Sequence, residues 1–514
     1  MTTEPVSGSH VVIVGGGISG LAAAYYLQKA AQERSLPLHF TLLESSSRTG
    51  GKLFSESVDG YGEVPFIVEG GPDCFITQKP WAMQLAEEIG IGSELMGTND
   101  ERRKVWVLNK GRPTPMPDGV LLIVPTKFMP FALSPLISPM GKLRMGMDLF
   151  IAPKTDDEDE TLAQFITRRL GNEALDKIAE PLMSGIYNAE ADRQSVMATF
   201  PRFRAIEKEH GSLIRGMLAS RNARAKRSAN TATSAASAAP APPADGRPKS
   251  IFVTFKGGTQ QIAAELRKRL ASHIKTDVKV TSITLEPGGR YRVEAETPTT
   301  TQSLRVDAVV LATPAYVSAQ LLQGIAPSAA STLERIRYVS TGTISLAYRS
   351  EDVHDADSGF GLVIPMSEQR PINAITFSST KFDRRAPDGY SLVRVFFGGS
   401  RSPKTMELDD DTLVGVVRAQ LQELLAIDAD PLFHRIYRWH RANPQYDIGH
   451  LDRVAEIEEA LPDGIVLTGS AYRGVGIPDC VHQAQQAVDK LLQGLPAPSP
   501  NATPAIALGY EANN

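Results

Sequence analysis

The sequence predicts an α/β chain. One nucleotide-binding sheet is assembled from widely separated stretches, with an α+β domain and a helical lobe inserted between them. Three observations predict this. A β-α-β unit opens the chain, with a glycine-rich turn between its first strand and its helix. Short, wholly apolar runs of the same character return in the middle and near the end. The length of 514 residues, 42% of them hydrophobic, exceeds the roughly 250–300 residues at which a single core stops growing.

His10-Val-Val-Ile-Val14 is a continuous apolar run, the pattern of a parallel strand buried on both faces. Ile18–Gln32 follows as a helix, rich in good formers such as Leu21-Ala-Ala-Ala-Tyr-Tyr-Leu27. His39-Phe-Thr-Leu-Leu-Glu44 is the second strand, and a crossover of this kind fixes a parallel sheet. Lys275–Ile283 and Tyr291–Glu296 read as strands around the turn Glu286-Pro-Gly-Gly289. Ala308-Val-Val-Leu-Ala-Thr-Pro314 and Gly464-Ile-Val-Leu-Thr-Gly-Ser470 are further strands running into turns, the second followed by a helix over Cys480–Leu492.

Residues 8–78, 251–318 and 435–495 are therefore assigned to the nucleotide-binding domain. Residues 79–100, 196–218 and 319–434 go to a substrate-binding domain, and 101–195 to a helical lobe. The stretch 219–250, with Ala239-Pro-Ala-Pro-Pro243, buries too little apolar surface to offset chain entropy and is expected to be a disordered loop. The tails 1–7 and 496–514 are expected to be disordered as well.

Composition narrows the function. Lys+Arg total 54 against 58 Asp+Glu, a net charge of -4, which gives no general attraction to nucleic acid. Two cysteines build no disulfide framework, and a cytoplasmic location is expected. The first residues lack the basic-then-apolar order of a signal peptide. No stretch supplies the ~18 uninterrupted apolar residues of a membrane span. The apolar run Val120–Ile151 is broken by prolines and basic residues. It reads as a partly buried helical lobe, or as a surface that rests on a membrane or a pocket entrance. The acidic run Asp156–Glu160 is expected to favour a helix N-terminus. His440, His450 and His482 have no metal-ligand spacing, so no metal is expected. No Ser-His-Asp pattern and no other strong acid or base stands out, and the catalytic residues are left unassigned.

Gly15-Gly16-Gly17-Ile18-Ser19-Gly20 fits G-x-G-x-x-G between a strand and a helix. Gly15 permits the tight turn, Gly17 lets backbone approach a pyrophosphate, and Gly20 allows close helix–strand packing. The phosphates then meet unpaired N–H groups at the helix N-terminus. Glu44 ends the second strand, near the ~20-residue offset at which a carboxylate accepts from a ribose hydroxyl. Arg48-Thr-Gly-Gly-Lys52 follows at once and resembles the extended signature of FAD-binding chains, which implies FAD rather than NAD. An extended FAD needs a second backbone segment along its pyrophosphate, and Gly51 belongs to that segment. Leu467-Thr-Gly-Ser-Ala-Tyr-Arg-Gly-Val-Gly-Ile-Pro-Asp479 is a second strand–turn–helix. Its N–H groups would stabilise the negative charge of a reduced flavin.

These residues resemble the FAD-dependent protoporphyrinogen/coproporphyrinogen oxidases of haem synthesis, within the amine-oxidase-like flavoproteins. The resemblance covers nearly the whole chain. Its more specific parts are Glu69-Gly-Gly-Pro-Asp-Cys-Phe75, Pro181-Leu-Met-Ser-Gly-Ile-Tyr187, Pro201-Arg-Phe with Glu207 and Gly211-Ser-Leu213, Trp439-His-Arg-Ala-Asn-Pro-Gln-Tyr446, and Tyr472-Arg-Gly-Val-Gly-Ile-Pro-Asp-Cys480.

Carried over by position, the resemblance implies non-covalent FAD. Gly15, Gly16, Gly17, Ile18, Ser19 and Gly20 would hold the pyrophosphate, and Glu44 and Ser45 the ribose side. Lys52, Gly71, Pro72, Asp73 and Cys74 would lie along the flavin. Val280 would meet the adenine through its backbone, and Trp439, Val475, Gly476 and Ile477 would complete the ring site. Asp73 stands where a mitochondrial-type branch has arginine, which resembles the Gram-positive-type branch that takes coproporphyrinogen III to coproporphyrin III. Lys79 is a candidate for the displaced cation, beside a reading as a solvated surface lysine.

The implied partners are a porphyrinogen, O₂ and, transiently, the next haem-pathway enzyme, with peripheral membrane contact. Three other readings stay open. They are protoporphyrinogen IX oxidation, another amine-oxidase-like flavoenzyme such as an amine oxidase or carotenoid desaturase, and a non-catalytic FAD- or porphyrin-binding protein.

Overall fold

The computed structural model describes residues 8–117, 120–121, 124–125, 128–220, 248, 250–353 and 359–495. The expected tails, and most of the expected loop 219–250, lie outside these residues. Its ends do not: Ala219 and Ser220 are helical, and Ser250 is buried, with its carbonyl accepting from the Thr77 hydroxyl at 3.0 Å. The loop is thus anchored closer to its middle than composition indicated.

Four of the runs, with Ile274–Lys275 added at one edge, form one five-stranded sheet in the order Ile274–Lys275, Leu38–Leu43, Ser9–Val14, Ala308–Leu311, Ile465–Leu467. Every pairing is parallel. Five parallel strands leave two faces to cover. Helices Ile18–Glu33 and Ile477–Gly494 pack on one face, joined by Trp81–Glu88 and Gln260–Arg269. On the other lie an antiparallel sheet, Lys279–Leu285, Tyr291–Glu296 and Thr301–Val306, and the helices Ala315–Leu322 and Pro327–Glu334. The strand expected over Lys275–Ile283 is therefore two strands in two sheets. Asp277, at φ 57, turns the chain between them.

The second domain is a seven-stranded mixed sheet, ordered Phe433–Pro444, Tyr338–Arg349, Tyr390–Gly398, Ile372–Phe377, Gly361–Val363, Val105–Asn109, Arg112–Pro115. Side chains alternate across it. Ile344, Leu346, Val393, Val395 and Phe397 pack against Leu413, Val417 and Leu421 of the helix Asp410–Leu425. The opposite face is polar, with Thr341, Thr343, Ser345, Arg394, Tyr437 and Trp439 in register.

Pairing corrects the domain partition. Phe433–Pro444 belongs to the seven-stranded sheet, not to the nucleotide-binding domain, because its hydrogen bonds go to Tyr338–Arg349. Val105–Asn109 and Arg112–Pro115 leave the helical lobe for the same sheet. Trp81–Glu88 and the 315–334 helices pack in the nucleotide-binding core. Val196, Phe203, Ile206 and Leu213 pack in the helical lobe with Phe165 and Ile166. Burial partners decided each case, and these are invisible along the chain.

The expected charge effect at Asp156–Glu160 takes a specific form. The helix Leu162–Leu170 begins with a reciprocal Thr161–Gln164 capping box, and Glu160 pairs with Arg168 at 2.8 Å. Deeper in the lobe, Arg169 and Asp148 form a fully buried ion pair that also reaches Glu207. Among the described residues no helix is long and apolar enough to cross a membrane.

Candidate active site

The first glycine turn has the tightness its sequence requires. Gly15 has φ +104, and a Cβ there would lie 2.7 Å from the Ala312 carbonyl oxygen. At Gly20 a Cβ would fall 1.8 Å from the Gly15 carbonyl, so helix and strand meet backbone to backbone. Gly17 differs: a Cβ there would meet nothing within 4 Å. Space stands open beside the very backbone expected to approach a pyrophosphate, so this turn fits the group. Ile18 starts the helix and Ser19 is buried within it.

Glu44 fastens this turn to the second strand. Its Oε2 accepts from the Gly16 N–H at 2.6 Å and its Oε1 from the Ser46 N–H at 2.8 Å. The Ser45 hydroxyl reaches the same carboxylate at 3.3 Å. The Arg48–Lys52 segment lies alongside. Gly50 donates to the Gly16 carbonyl at 2.8 Å, and Gly51 approaches Gly17 so closely that a Cβ would sit 3.1 Å from its Cα. Arg48 folds back onto the Gly51 and Leu53 carbonyls and over the Phe54 ring, so its role is to shape this turn.

Lys52 is enclosed. Its ammonium donates to the Ala442 carbonyl, and burial pushes its pKa down. The Cys480 thiol lies near Ser19 and Lys52, and burial pushes it up to about 11. Gly71 abuts Lys52, since a Cβ on it would lie 1.8 Å from the Lys52 carbonyl oxygen. From the sheet's polar face, Trp439 Nε1 donates to the Gly70 carbonyl at 2.7 Å and Arg394 donates to the Gly71 carbonyl. The Pro72 carbonyl accepts from the Thr259 hydroxyl at 2.8 Å.

Asp73 and Cys74 turn to a partner that sequence reasoning missed. Lys381 donates to Asp73 at 2.8 Å and approaches the Cys74 sulfur at 3.4 Å. Burial alone would raise the Asp73 pKa, but Lys381 and then Arg394 outweigh it and hold this carboxyl far below the usual range. The Cys74 thiol is pushed up to about 12 by burial and by Asp73. Lys79 is no free surface lysine either, as it meets both Asp479 oxygens at 2.6 and 2.8 Å.

The closing turn completes the arrangement. The helix Ile477–Gly494 starts at Ile477, with Pro478 in its first turn and Asp479 after it. The N–H groups of Val475, Gly476 and Ile477 donate to nothing among the described residues, so they remain available to an electron-rich ring. Val280 sits apart, buried and paired with Ala295; its strand is tethered to the site where the Val278 N–H donates to the Glu44 carbonyl at 2.9 Å. His450 is buried with its pKa lowered to about 4 by burial, and no metal-binding group of His, Cys, Asp and Glu exists among the described residues. Ala442 and Lys381 were absent from the sequence-derived site because each reaches it from far along the chain, Ala442 on the strand Phe433–Pro444 and Lys381 from the short helix Ser378–Lys381.

The chain is similar to known proteins over nearly its whole length. A coproporphyrinogen III oxidase of Bacillus subtilis (strain 168) is 34% identical over 487 residues, spanning 94% of this chain and 98% of that protein. One from Propionibacterium freudenreichii subsp. freudenreichii is 36% identical over 508 residues, spanning 96% and 92%. A solved structure from Exiguobacterium sp. 255-15 superposes with TM-score 0.78 at 29% identity, covering 95% of this chain and 99% of that one. The family described as flavin containing amine oxidoreductase matches residues 18–492. With that model covering most of its length, the chain belongs to the flavin-containing amine oxidoreductase family.

Proposed function

We propose that this chain oxidises coproporphyrinogen III to coproporphyrin III with O₂ as acceptor. Six hydrogens leave the macrocycle in three rounds, and each round converts one O₂ to one H₂O₂. Bound FAD supplies the two-electron acceptor in this chemistry. The chain supplies position and electrostatics. Gly15–Gly20 and Gly50–Lys52 would hold the pyrophosphate, with Glu44 and Ser45 on the ribose and the Val280 backbone near the adenine. Lys52, Gly71–Cys74, Trp439 and Val475–Ile477 would surround the ring. The free Val475, Gly476 and Ile477 N–H groups would favour negative charge on that ring.

One observation carries the reading. Turns from opposite ends of the chain meet around Lys52, against the polar face of a sheet that brings Trp439 and Arg394 to Gly70 and Gly71. End-to-end similarity to proteins named coproporphyrinogen III oxidase supports the substrate. The test is parallel steady-state kinetics of the FAD-loaded protein on coproporphyrinogen III, protoporphyrinogen IX and simple amines, with products separated by chromatography. The expected kcat/KM favours coproporphyrinogen III by at least ~10-fold, about 1.4 kcal/mol of transition-state preference. A preference for protoporphyrinogen IX or an amine, or a flavin that none of them bleaches, overturns it.

The helical lobe supports a peripheral site of action. Leu133, Met140, Leu143 and Phe150 are 66–85% exposed around an open cleft of about 470 Å³. A solvent-facing apolar cluster of this kind marks a contact surface. The occupant we propose is a membrane leaflet, adjoining cytoplasm, and contact with the next haem-pathway enzyme is the competing outcome. Leu143→Ser with Phe150→Ser should at least halve co-sedimentation with anionic vesicles while leaving turnover of soluble substrate intact. Equal sedimentation of variant and wild type refutes membrane contact.

A further inference from the structure

Tyr446 lies just past the Phe433–Pro444 strand and is 1% exposed. Its hydroxyl donates to the Ser470 carbonyl at 2.8 Å and accepts from the Gly474 N–H at 2.8 Å. One oxygen therefore closes both ends of the turn from Ser470 to Gly474. The His450 ring stacks on Tyr446, with centroids 3.9 Å apart and planes inclined by 13°. His450 Nε2 lies 2.8 Å from the Tyr472 carbonyl, which can only accept, so this nitrogen carries the proton and donates. Gln483 holds the same turn from the helix, accepting from the Arg473 N–H at 2.9 Å and donating to the Gly474 carbonyl at 3.2 Å.

Side chains thus pin the turn at Ser470, Tyr472, Arg473 and Gly474. The next N–H groups, on Val475, Gly476 and Ile477, are the uncommitted ones. Val475 itself packs on the Tyr187–Tyr446 pair. Behind Tyr446, the Tyr187 ring lies at 5.6 Å, and Phe200 at 5.8 Å from Tyr187 continues into the helical lobe. The Tyr446 ring is therefore contacted by His450 and by the lobe's Tyr187, which fixes where its hydroxyl sits.

We propose that Tyr446 is a positioning residue for flavin chemistry. Its hydroxyl, backed by His450, presets the Gly474–Ile477 turn so that the free N–H groups stand ready at the flavin ring. Donors fixed beforehand stabilise arriving negative charge without reorganising at the moment of reaction. This proposal rests on the flavin reading above and adds how the ring's donors are held.

The test uses the full-length, FAD-loaded protein. Tyr446→Phe keeps the ring and removes the hydroxyl, leaving the Ser470 carbonyl and the Gly474 N–H without a shared partner. The flavin reduction potential should shift to more negative values. The visible flavin spectrum should change, and kcat should fall roughly 10-fold with little change in KM. A wild-type potential, spectrum and kcat in this variant overturn the proposal.

Should Tyr446→Phe fail to fold, His450 carries the same question. His450→Gln retains a donor for the Tyr472 carbonyl and should keep the wild-type potential, whereas His450→Leu should not. Equal potentials in both variants and the wild type overturn it. Wild-type protein that takes up no FAD would instead remove the flavin reading, whatever Tyr446 does.

Discussion

Gly17→Val is expected to give a folded protein that has lost FAD. The backbone at Gly17 has φ -69 and ψ 178, extended values open to any residue. A Cβ there meets no atom within 4 Å beyond its chain neighbours, so the side chain enters open space rather than the packed fold. The added side chain instead fills the space in which the turn must approach a pyrophosphate. FAD affinity should fall at least ~100-fold, about 2.8 kcal/mol, with little change in the unfolding midpoint of the apoprotein.

Gly20→Val is the contrasting case. Its Cβ would lie 1.8 Å from the Gly15 carbonyl oxygen, and relief requires moving backbone. That variant should lose the fold rather than the cofactor alone. Flavin titration followed by circular dichroism separates the two. Undiminished FAD affinity in Gly17→Val would show that this turn does not carry the pyrophosphate.

The largest stability effect is expected at Lys381. Its ammonium and the Asp73 carboxylate are both largely buried, and they tie the strand-rich substrate domain to the Gly70–Cys74 segment. Lys381→Met strips the buried Asp73 of its hydrogen-bonded counter-ion and leaves Arg394 alone to oppose burial, an expected loss of ~3–5 kcal/mol. Asp73→Asn combined with Lys381→Met removes the orphaned charge and should recover most of it.

The pH dependence follows from the same pair. In the wild type the folded-state pKa of Asp73 lies below its unfolded value of ~3.9. Its contribution is therefore complete at pH values above that unfolded pKa and disappears as pH falls toward the folded one. Without Lys381, burial works to raise this pKa, so the variant's deficit should shrink in mild acid. Urea midpoints of the three proteins between neutral and mildly acidic pH measure both effects. A Lys381→Met deficit below ~1 kcal/mol would mean the pair is solvent-screened and holds little.

Much of this architecture was legible in the sequence because the relevant physics is local. Short, mostly apolar runs announced buried parallel strands, and four of them do form one sheet, extended at its edge by Ile274–Lys275. The glycines at 15, 17 and 20 each carry a distinct steric requirement that three adjacent elements already impose. Ile18 starts its helix after a glycine turn as predicted, whereas the closing helix begins at Ile477, earlier than the expected Cys480, because Gly476 already caps it and Pro478 suits its first turn. FAD likewise followed from the second glycine pair beside Glu44.

Other features depended on which strand pairs with which. Phe433–Pro444 reads like the approach to the last nucleotide-binding strand, yet its backbone groups bond to Tyr338–Arg349. That pairing delivers Ala442 to Lys52 and Trp439 to Gly70. Lys381 meets Asp73 from 308 positions away, and Tyr446 meets Gly474 from 28. No periodicity or composition encodes such distances, because a buried polar group selects its partner by three-dimensional proximity. The sequence by itself determined the nucleotide-binding sheet and the glycine turns, since these arise from local sterics and short-range apolar patterning, and the class of cofactor through the resemblance of Arg48–Lys52 to an extended FAD signature. Only the tertiary structure decided the domain boundaries, the counter-ion of Asp73 and the clamp on the closing turn, since each is a contact between groups that the chain itself keeps far apart.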